Sequence, residues 1–201
     1  MAELTFYYGV MGCSKSANAL MTRYEHVANG RNVWLIKPAV DTRDDILLAG
    51  KVQTIIKSRV GISAFADIIP VEDHIAMPAG TDVIICDEAQ FLRPWQVDEL
   101  NEISKDLNIP VICYGLRTDF RTKFFPGSQR LFEIADRLIE LEKDCACGTK
   151  ATISAKFLGG KLITEGEQID IGGDEKYKAI CYRCWEKYKL AEDLDIECKV
   201  E

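Results

Sequence analysis

The stretch LTFYYGVMGCSKSANAL, residues 4 to 20, constrains the fold more than any other part of the chain. It joins a short β-branched and aromatic run, Leu4 to Tyr8, to a segment from Ser16 to Asn29 that sets Ala17, Leu20, Met21, Tyr24, Val27 and Ala28 on one helical face. Between them, Gly9, Lys15 and Ser16 keep the register of the phosphate-binding loop GxxxxGK[ST], with Ser14 standing where the second glycine belongs. Asn29 and Gly30 supply a helix stop, and NVWLIKP (32–38) reads as a buried strand, so the loop falls at the strand-to-helix turn of a βαβ unit. In that place backbone N–H groups can face a phosphate. Lys15 is then expected to meet the β and γ phosphates of a nucleotide and Ser16 to bind Mg²⁺, with the backbone of Gly9, Met11, Gly12, Cys13 and Ser14 forming the cradle. Glycine serves at position 14 either for close approach to phosphate or for a backbone angle awkward for a Cβ; serine is small, so a tolerated variant is expected.

The rest of the chain repeats the α/β alternation. TDVIICDEAQF (81–91) is an apolar strand ending in two acids, and a helix follows with Pro94 in its first turn and Val97, Leu100, Ile103 and Leu107 at helical spacing. PVICYGL (110–116) is another buried strand, followed by a helix at about 128–136 and the strand RLIELE. The expected fold class is α/β, a P-loop (RecA-like), mostly parallel sheet with helices on both faces. Residues 41 to 80 are harder to read: a short helix, one strand near ADIIPV and some mobile loop are expected.

Asp87 and Glu88 end a buried strand, where ligands of open α/β sheets gather. Asp87 can hold the magnesium shell, and Glu88 can take a proton from an attacking hydroxyl or water. From Cys145 the character changes. Cys145, Cys147, Cys181 and Cys184, as CxC plus CxxC, bracket a Gly-rich segment and offer four thiolates for a structural Zn²⁺ with no open position for an activated water. The chain is expected to divide into a P-loop nucleotide-binding domain, 1–142, and a zinc-binding domain, 143–201. His26 and His74, the only histidines, lie in a helix and a polar turn, which gives a Ser/His/Asp hydrolase little support.

The 201 residues are 47% apolar and 28% charged, an ordinary globular balance, and a net charge of -7 opposes a nucleic-acid face, which needs clustered Lys and Arg. No basic region precedes an apolar stretch at MAELTFYYGV, and no run approaches the roughly 18 apolar residues of a membrane span. The expectation is a cytoplasmic protein with no membrane or nucleic-acid partner.

GVMGCSKS, KPAVDTR, DEAQF, GLRTDF, the cysteine pairs and IDIGGDEKYKAICYRC occur in the order and spacing of the type II thymidine kinases, whose zinc-tied lasso closes the nucleoside site. The chain resembles that family over about residues 4 to 188. The resemblance implies transfer of the ATP γ-phosphate to the 5′-hydroxyl of thymidine, and of deoxyuridine in some cases, in nucleotide salvage. It assigns Lys15 and Ser16 to phosphate and magnesium, Asp87 to magnesium through water, and Glu88 to the base at the 5′-hydroxyl. Asp41 and Arg43 match a pair on the phosphate side, and Arg43 or Arg121 is expected to join Lys15 in stabilising the transferring phosphoryl. Met11, Leu116, Phe120, Phe125 and Tyr177 match positions that enclose the base, with Gln90 and Phe91 beside them; lasso backbone near Ser154 and at Asp170, Ile171, Gly172 and Gly173 matches the groups that read it. A homotetramer and feedback inhibition by thymidine triphosphate (dTTP) are further implications. Two departures stand out: Ser14 in the loop, and a CxC where the family usually has CxxC.

Two rival readings remain at this level. A helicase-like or motor ATPase also carries a P-loop and DEAQ, but needs a second lobe and a basic track. A zinc-ribbon interaction module on a non-functional P-loop would bind no Mg-ATP.

Overall fold

A computed structural model describes residues 1–42, 45–48, 51–169 and 176–193, with side chains as far as 190. Its centre is a six-stranded sheet made of β1 (Leu4–Gly9), β2 (Val33–Pro38), β7 (Asp67–Ile69), β8 (Val83–Cys86), β9 (Val111–Leu116) and β10 (Arg137–Leu141). The order is β10-β1-β9-β8-β2-β7, and every pairing is parallel. Such a sheet must be covered on both faces, and the side-chain alternation shows that it is. Leu4, Phe6, Trp34, Ile36, Ile84, Cys86, Val111 and Cys113 point to one core, shared with Val97 and Leu100 of α2 (Pro94–Asp106) and Leu131 of α3 (Pro126–Ile134). Their neighbours Leu35, Val83, Ile85 and Tyr114 point to the other, against Ala19 and Leu20 of α1 (Lys15–Ala28).

The expected elements from 4 to 38 and from 83 to 141 are present within a few residues. On α1 the buried residues are Lys15, Ala19 and Leu20, while Met21, Tyr24 and Val27 of the apolar face are exposed. Residues 41–80 differ from expectation. The strand near ADIIPV is β7, but no helix occurs there among the described residues; instead β3 (Ile46–Leu48) pairs with β4 (Lys51–Gln53), and β5 (Ile55–Lys57) with β6 (Ser63–Phe65), all antiparallel. The reason is local. Ile46, Leu47, Leu48, Ile55 and Ile56 form short runs rich in β-branched residues with no helical spacing, and Gly61 at φ 88° turns the second hairpin.

The cysteine-bearing segment also holds more structure than a long loop. β11 (Ile153–Leu158) pairs antiparallel with β12 (Lys161–Ile163) and β13 (Tyr177–Ile180), and α4 (Tyr182–Asp193) follows. Ala151, Ile153, Ala155, Phe157, Leu162, Ile180 and Trp185 form their own core, into which Val10 and Cys13 of the phosphate loop insert. The small antiparallel sheet is thereby packed directly on the loop that follows β1. No helix among the described residues is long and apolar enough to cross a membrane.

Candidate active site

β1 and β8 end on the same edge of the sheet with β9 between them, so the phosphate loop and the Asp87–Glu88 pair face one space. That space is a cavity of about 600 Å³. Its lining includes Met11, Gly12, Ser14, Lys15, Ser16, Asp41, Asp87 and Glu88. It also includes Gln90, Phe91, Leu116, Phe120, Phe125, Ser154 and Tyr177. Fifteen expected positions therefore converge on one cleft.

Gly9 and Cys13 do not line it. They lie beneath the loop, where a Cβ on Gly9 would come within 2.5 Å of the Leu141 carbonyl and 2.6 Å of the Cys13 sulfur, so Gly9 is required for packing. Arg43, Asp170, Ile171, Gly172 and Gly173 lie outside the described residues, as does Cys198. His26 and His74 line no part of the cavity.

The loop answers why glycine belongs at position 14. Ser14 is the residue before α1 and has φ 65° and ψ 27°, the left-handed region, where an ordinary side chain costs about 1–2 kcal/mol. Its hydroxyl makes no capping bond, so the variant carries strain without a local compensation. Gly12, at φ 72°, is crowded as well: a Cβ there would lie 2.7 Å from Lys143 Nζ and 3.1 Å from Arg59 Nη1. Two cations thus sit over the loop that sequence reading did not single out. Arg59 follows the β5–β6 hairpin's first strand in KSRVG, and a basic pair between short strands was the only signal available.

Lys15 is buried and donates to the Val10 carbonyl at 2.9 Å, folded back on its own loop. Asp87 is also buried. Desolvation pushes its carboxyl up to about 7, the Glu88 charge adds to this, and a hydrogen bond from Ser16 opposes it. Oδ1 of Asp87 is buried without a hydrogen-bond partner among the described residues. A desolvated carboxylate with an orphaned oxygen beside a hydroxyl is the setting that a hard divalent cation relieves, so Asp87 and Ser16 fit Mg²⁺.

Glu88 has φ 53°, also left-handed, a strain of the kind that collects at functional sites. Its carboxylate accepts from the Gln90 side-chain amide, and Gln90 Oε1 accepts from the Leu116 N–H at 2.9 Å. A Cβ on Gly115 would stand 2.8 Å from that Oε1, and one on Gly127 would stand 2.6 Å from the Leu92 carbonyl and 2.7 Å from that of Ala89. Close approach by two glycines therefore holds the turn Ala89–Phe91 in place.

On the phosphate side Asp41 is buried and bonded to Lys37 at 3.4 Å, and Lys37, itself 1% exposed, also lies 3.7 Å from Asp45. Lys37 is a third cation that sequence reading did not single out, because a lysine inside a strand reads as a solvated edge. Arg121 is occupied elsewhere: its Nε and Nη2 donate to Asp119 at 2.9 and 2.7 Å, and its Nη1 to the Gly166 carbonyl at 3.0 Å. Its guanidinium faces the lasso and does not line the cavity.

The four cysteines come together. The sulfurs of Cys145, Cys147, Cys181 and Cys184 all lie within 4.8 Å of one another, and those of Cys147 and Cys181 are 3.6 Å apart. Sulfurs about 2.3 Å from a tetrahedral zinc stand at such separations, so the set fits the ion and the CxC spacing closes it as well as CxxC would. Ser154, in β11, accepts from the Met11 N–H at 3.0 Å and links this unit to the phosphate loop.

With this geometry in view, comparison with known proteins is decisive. A family model described as thymidine kinase matches residues 2–185. The chain belongs to the thymidine kinase family. It is 42% identical over 194 residues to a thymidine kinase of Zymomonas mobilis, covering 91% of this chain and 95% of that one. It is 41% identical over 193 residues to the thymidine kinase of enterobacteria phage T4, with 92% and 96% covered, and 37% identical over 203 residues to that of Rhodopirellula baltica, with 96% and 93% covered. Ser14 is held at a left-handed backbone angle, and the CxC pair still brings its sulfurs into the four-cysteine cluster.

Proposed function

We propose that this chain is an ATP:thymidine 5′-phosphotransferase. The observation that carries the reading is one cavity with both chemistries in it: Lys15, Ser16 and Asp87 for a metal-bound triphosphate, and the rings of Phe91, Phe120, Phe125 and Tyr177 for a flat base. Glu88, which lines the same cavity, is the base for the 5′-hydroxyl, and Gln90 orients it. Lys15 leaves the Val10 carbonyl to meet the β and γ oxygens, and Arg59 and Lys143, over Gly12, add positive charge on that side. Mg²⁺, held by Ser16 and Asp87, neutralises phosphate charge when bound. Aromatic walls and the lasso exclude water, so that the phosphoryl goes to the sugar.

In this reading residues 1–142 are the kinase unit and 143–201 the zinc-tied lasso unit, with Zn²⁺ structural. Arg43 remains the candidate for transition-state charge, and Asp170 to Gly173 for base recognition, while Arg121 is engaged by Asp119 and the Gly166 carbonyl. A cytoplasmic homotetramer inhibited by dTTP completes the proposal on family grounds. The test is purified protein with γ-labelled ATP and a panel of nucleosides. Label in the monophosphates of thymidine and deoxyuridine alone supports the reading; transfer to purine nucleosides, or ATP hydrolysis stimulated by nucleic acid, refutes it.

A further inference from the structure

Asp119 begins the turn that leads from β9 into α3, and its carboxylate is buried. A buried carboxylate is stable only where its lone pairs are filled, and here they are filled in two separate ways. Oδ1 accepts the backbone N–H groups of Arg121 and Lys123, both at 2.9 Å, which shapes the turn. Oδ2 accepts Arg121 Nε at 2.9 Å, Arg121 Nη2 at 2.7 Å and Gln168 Nε2 at 3.0 Å. These last donors continue to the lasso: Arg121 Nη1 reaches the Gly166 carbonyl at 3.0 Å, and Gln168 Nε2 also reaches the Phe124 carbonyl at 3.1 Å. Gly166 in turn lies against the ring of Phe120, with its Cβ position 3.8 Å from Cζ.

We propose that Asp119 is a positioning residue whose Oδ2, through Arg121 and Gln168, latches lasso residues 166–168 over Phe120 and thereby sets nucleoside affinity. This rests on the reading of the cavity as a nucleoside site. The two oxygens make the latch separable from the turn. In Asp119→Asn the amide keeps one oxygen for the backbone N–H groups of Arg121 and Lys123, while an NH₂ replaces the acceptor that three donors share. The latch opens and the turn survives. Gln168→Met removes one arm and leaves the carboxylate untouched.

The experiment reads two quantities on the full chain with zinc. In nucleoside-free protein, amide hydrogen exchange over residues 164–169 quickens about tenfold or more in Asp119→Asn, the scale of losing one charge-assisted hydrogen bond, and less in Gln168→Met. In steady state, thymidine KM rises about tenfold in Asp119→Asn, while Mg-ATP affinity stays within about twofold because the phosphate loop is not touched. Unchanged exchange and unchanged thymidine KM in both variants would overturn the latch, and so would an equal loss of Mg-ATP affinity. If Asp119→Asn fails to fold, Gln168→Met decides by the same two readouts. If the wild type phosphorylates no nucleoside, the proposed function fails, and the exchange rates still decide the latch.

Discussion

The side-chain amide of Gln90 donates to the carboxylate of Glu88, and both belong to a turn that Leu116 fixes from the neighbouring strand. A base must be held where its proton donor will arrive, and in the proposed mechanism this pair holds Glu88 before substrate binds. Glu88→Gln is expected to lower kcat by about 10²-fold or more and leave thymidine binding within a few-fold, because an amide can hydrogen-bond to the 5′-hydroxyl but cannot take its proton. With chemistry shown to be rate-limiting, a fall below about tenfold would remove Glu88 from this role.

Ser14→Gly relieves a residue held at φ 65°. Against this gain stands the extra unfolded-state freedom of glycine, so a net stabilisation of up to about 1 kcal/mol is expected, read as a raised melting temperature. Activity should persist and Mg-ATP affinity should hold or improve. Lys15→Ala should cost orders of magnitude in kcat/KM, since it removes the loop's one directed positive charge. A Ser14→Gly protein that melts lower than the wild type would contradict the strain argument.

Metal analysis of protein purified without chelator should find about one zinc per chain, as expected of a closed four-thiolate site. Because Val10 and Cys13 pack into the core of the same unit, Cys184→Ser should both release zinc and raise the nucleoside KM. Cys13, Cys86 and Cys113 are buried but are not among the four clustered sulfurs, and their serine variants should retain full zinc. Finding no metal in the wild type would sink the site.

Asp87 links stability to pH. Its carboxyl is raised from 3.8 to about 7, chiefly by burial, so between those values the native state holds a proton that the unfolded chain has lost. Stability of the Mg-free protein should therefore fall as pH rises through that window, and Asp87→Asn should flatten the fall while abolishing phosphoryl transfer. Thermal melts of both proteins at about pH 4.5 and 7.5 measure it; parallel pH dependence in the two would show that Asp87 is not the group responsible.

The central sheet was legible because its strands are short apolar runs divided by helices of clear period, as in VIIC before α2 and VICYGL before α3. The phosphate loop, the acid pair and the cysteine pairs were legible because their chemistry demands neighbours in sequence. Residues 46–65 were not, since three-residue strands in a hairpin carry too few positions to show a period. Arg59, Asp119 and Gln168 were hidden for another reason: each acquires its setting through contacts distant along the chain, as Gln168 does with Asp119, 49 residues away. Of the two arginines left open for the phosphoryl, Arg121 is engaged with Asp119, two residues before it, and with the Gly166 carbonyl, 45 residues away, a pairing that no local pattern announces.

The most direct measurement is a product balance under initial-rate conditions, with γ-labelled ATP, Mg²⁺ and thymidine, counting ADP, thymidine monophosphate and inorganic phosphate together. The account predicts that ADP and labelled thymidine monophosphate form in equal amounts, with inorganic phosphate negligible and no turnover without thymidine. ADP matched by inorganic phosphate, whether or not thymidine is present, would contradict it.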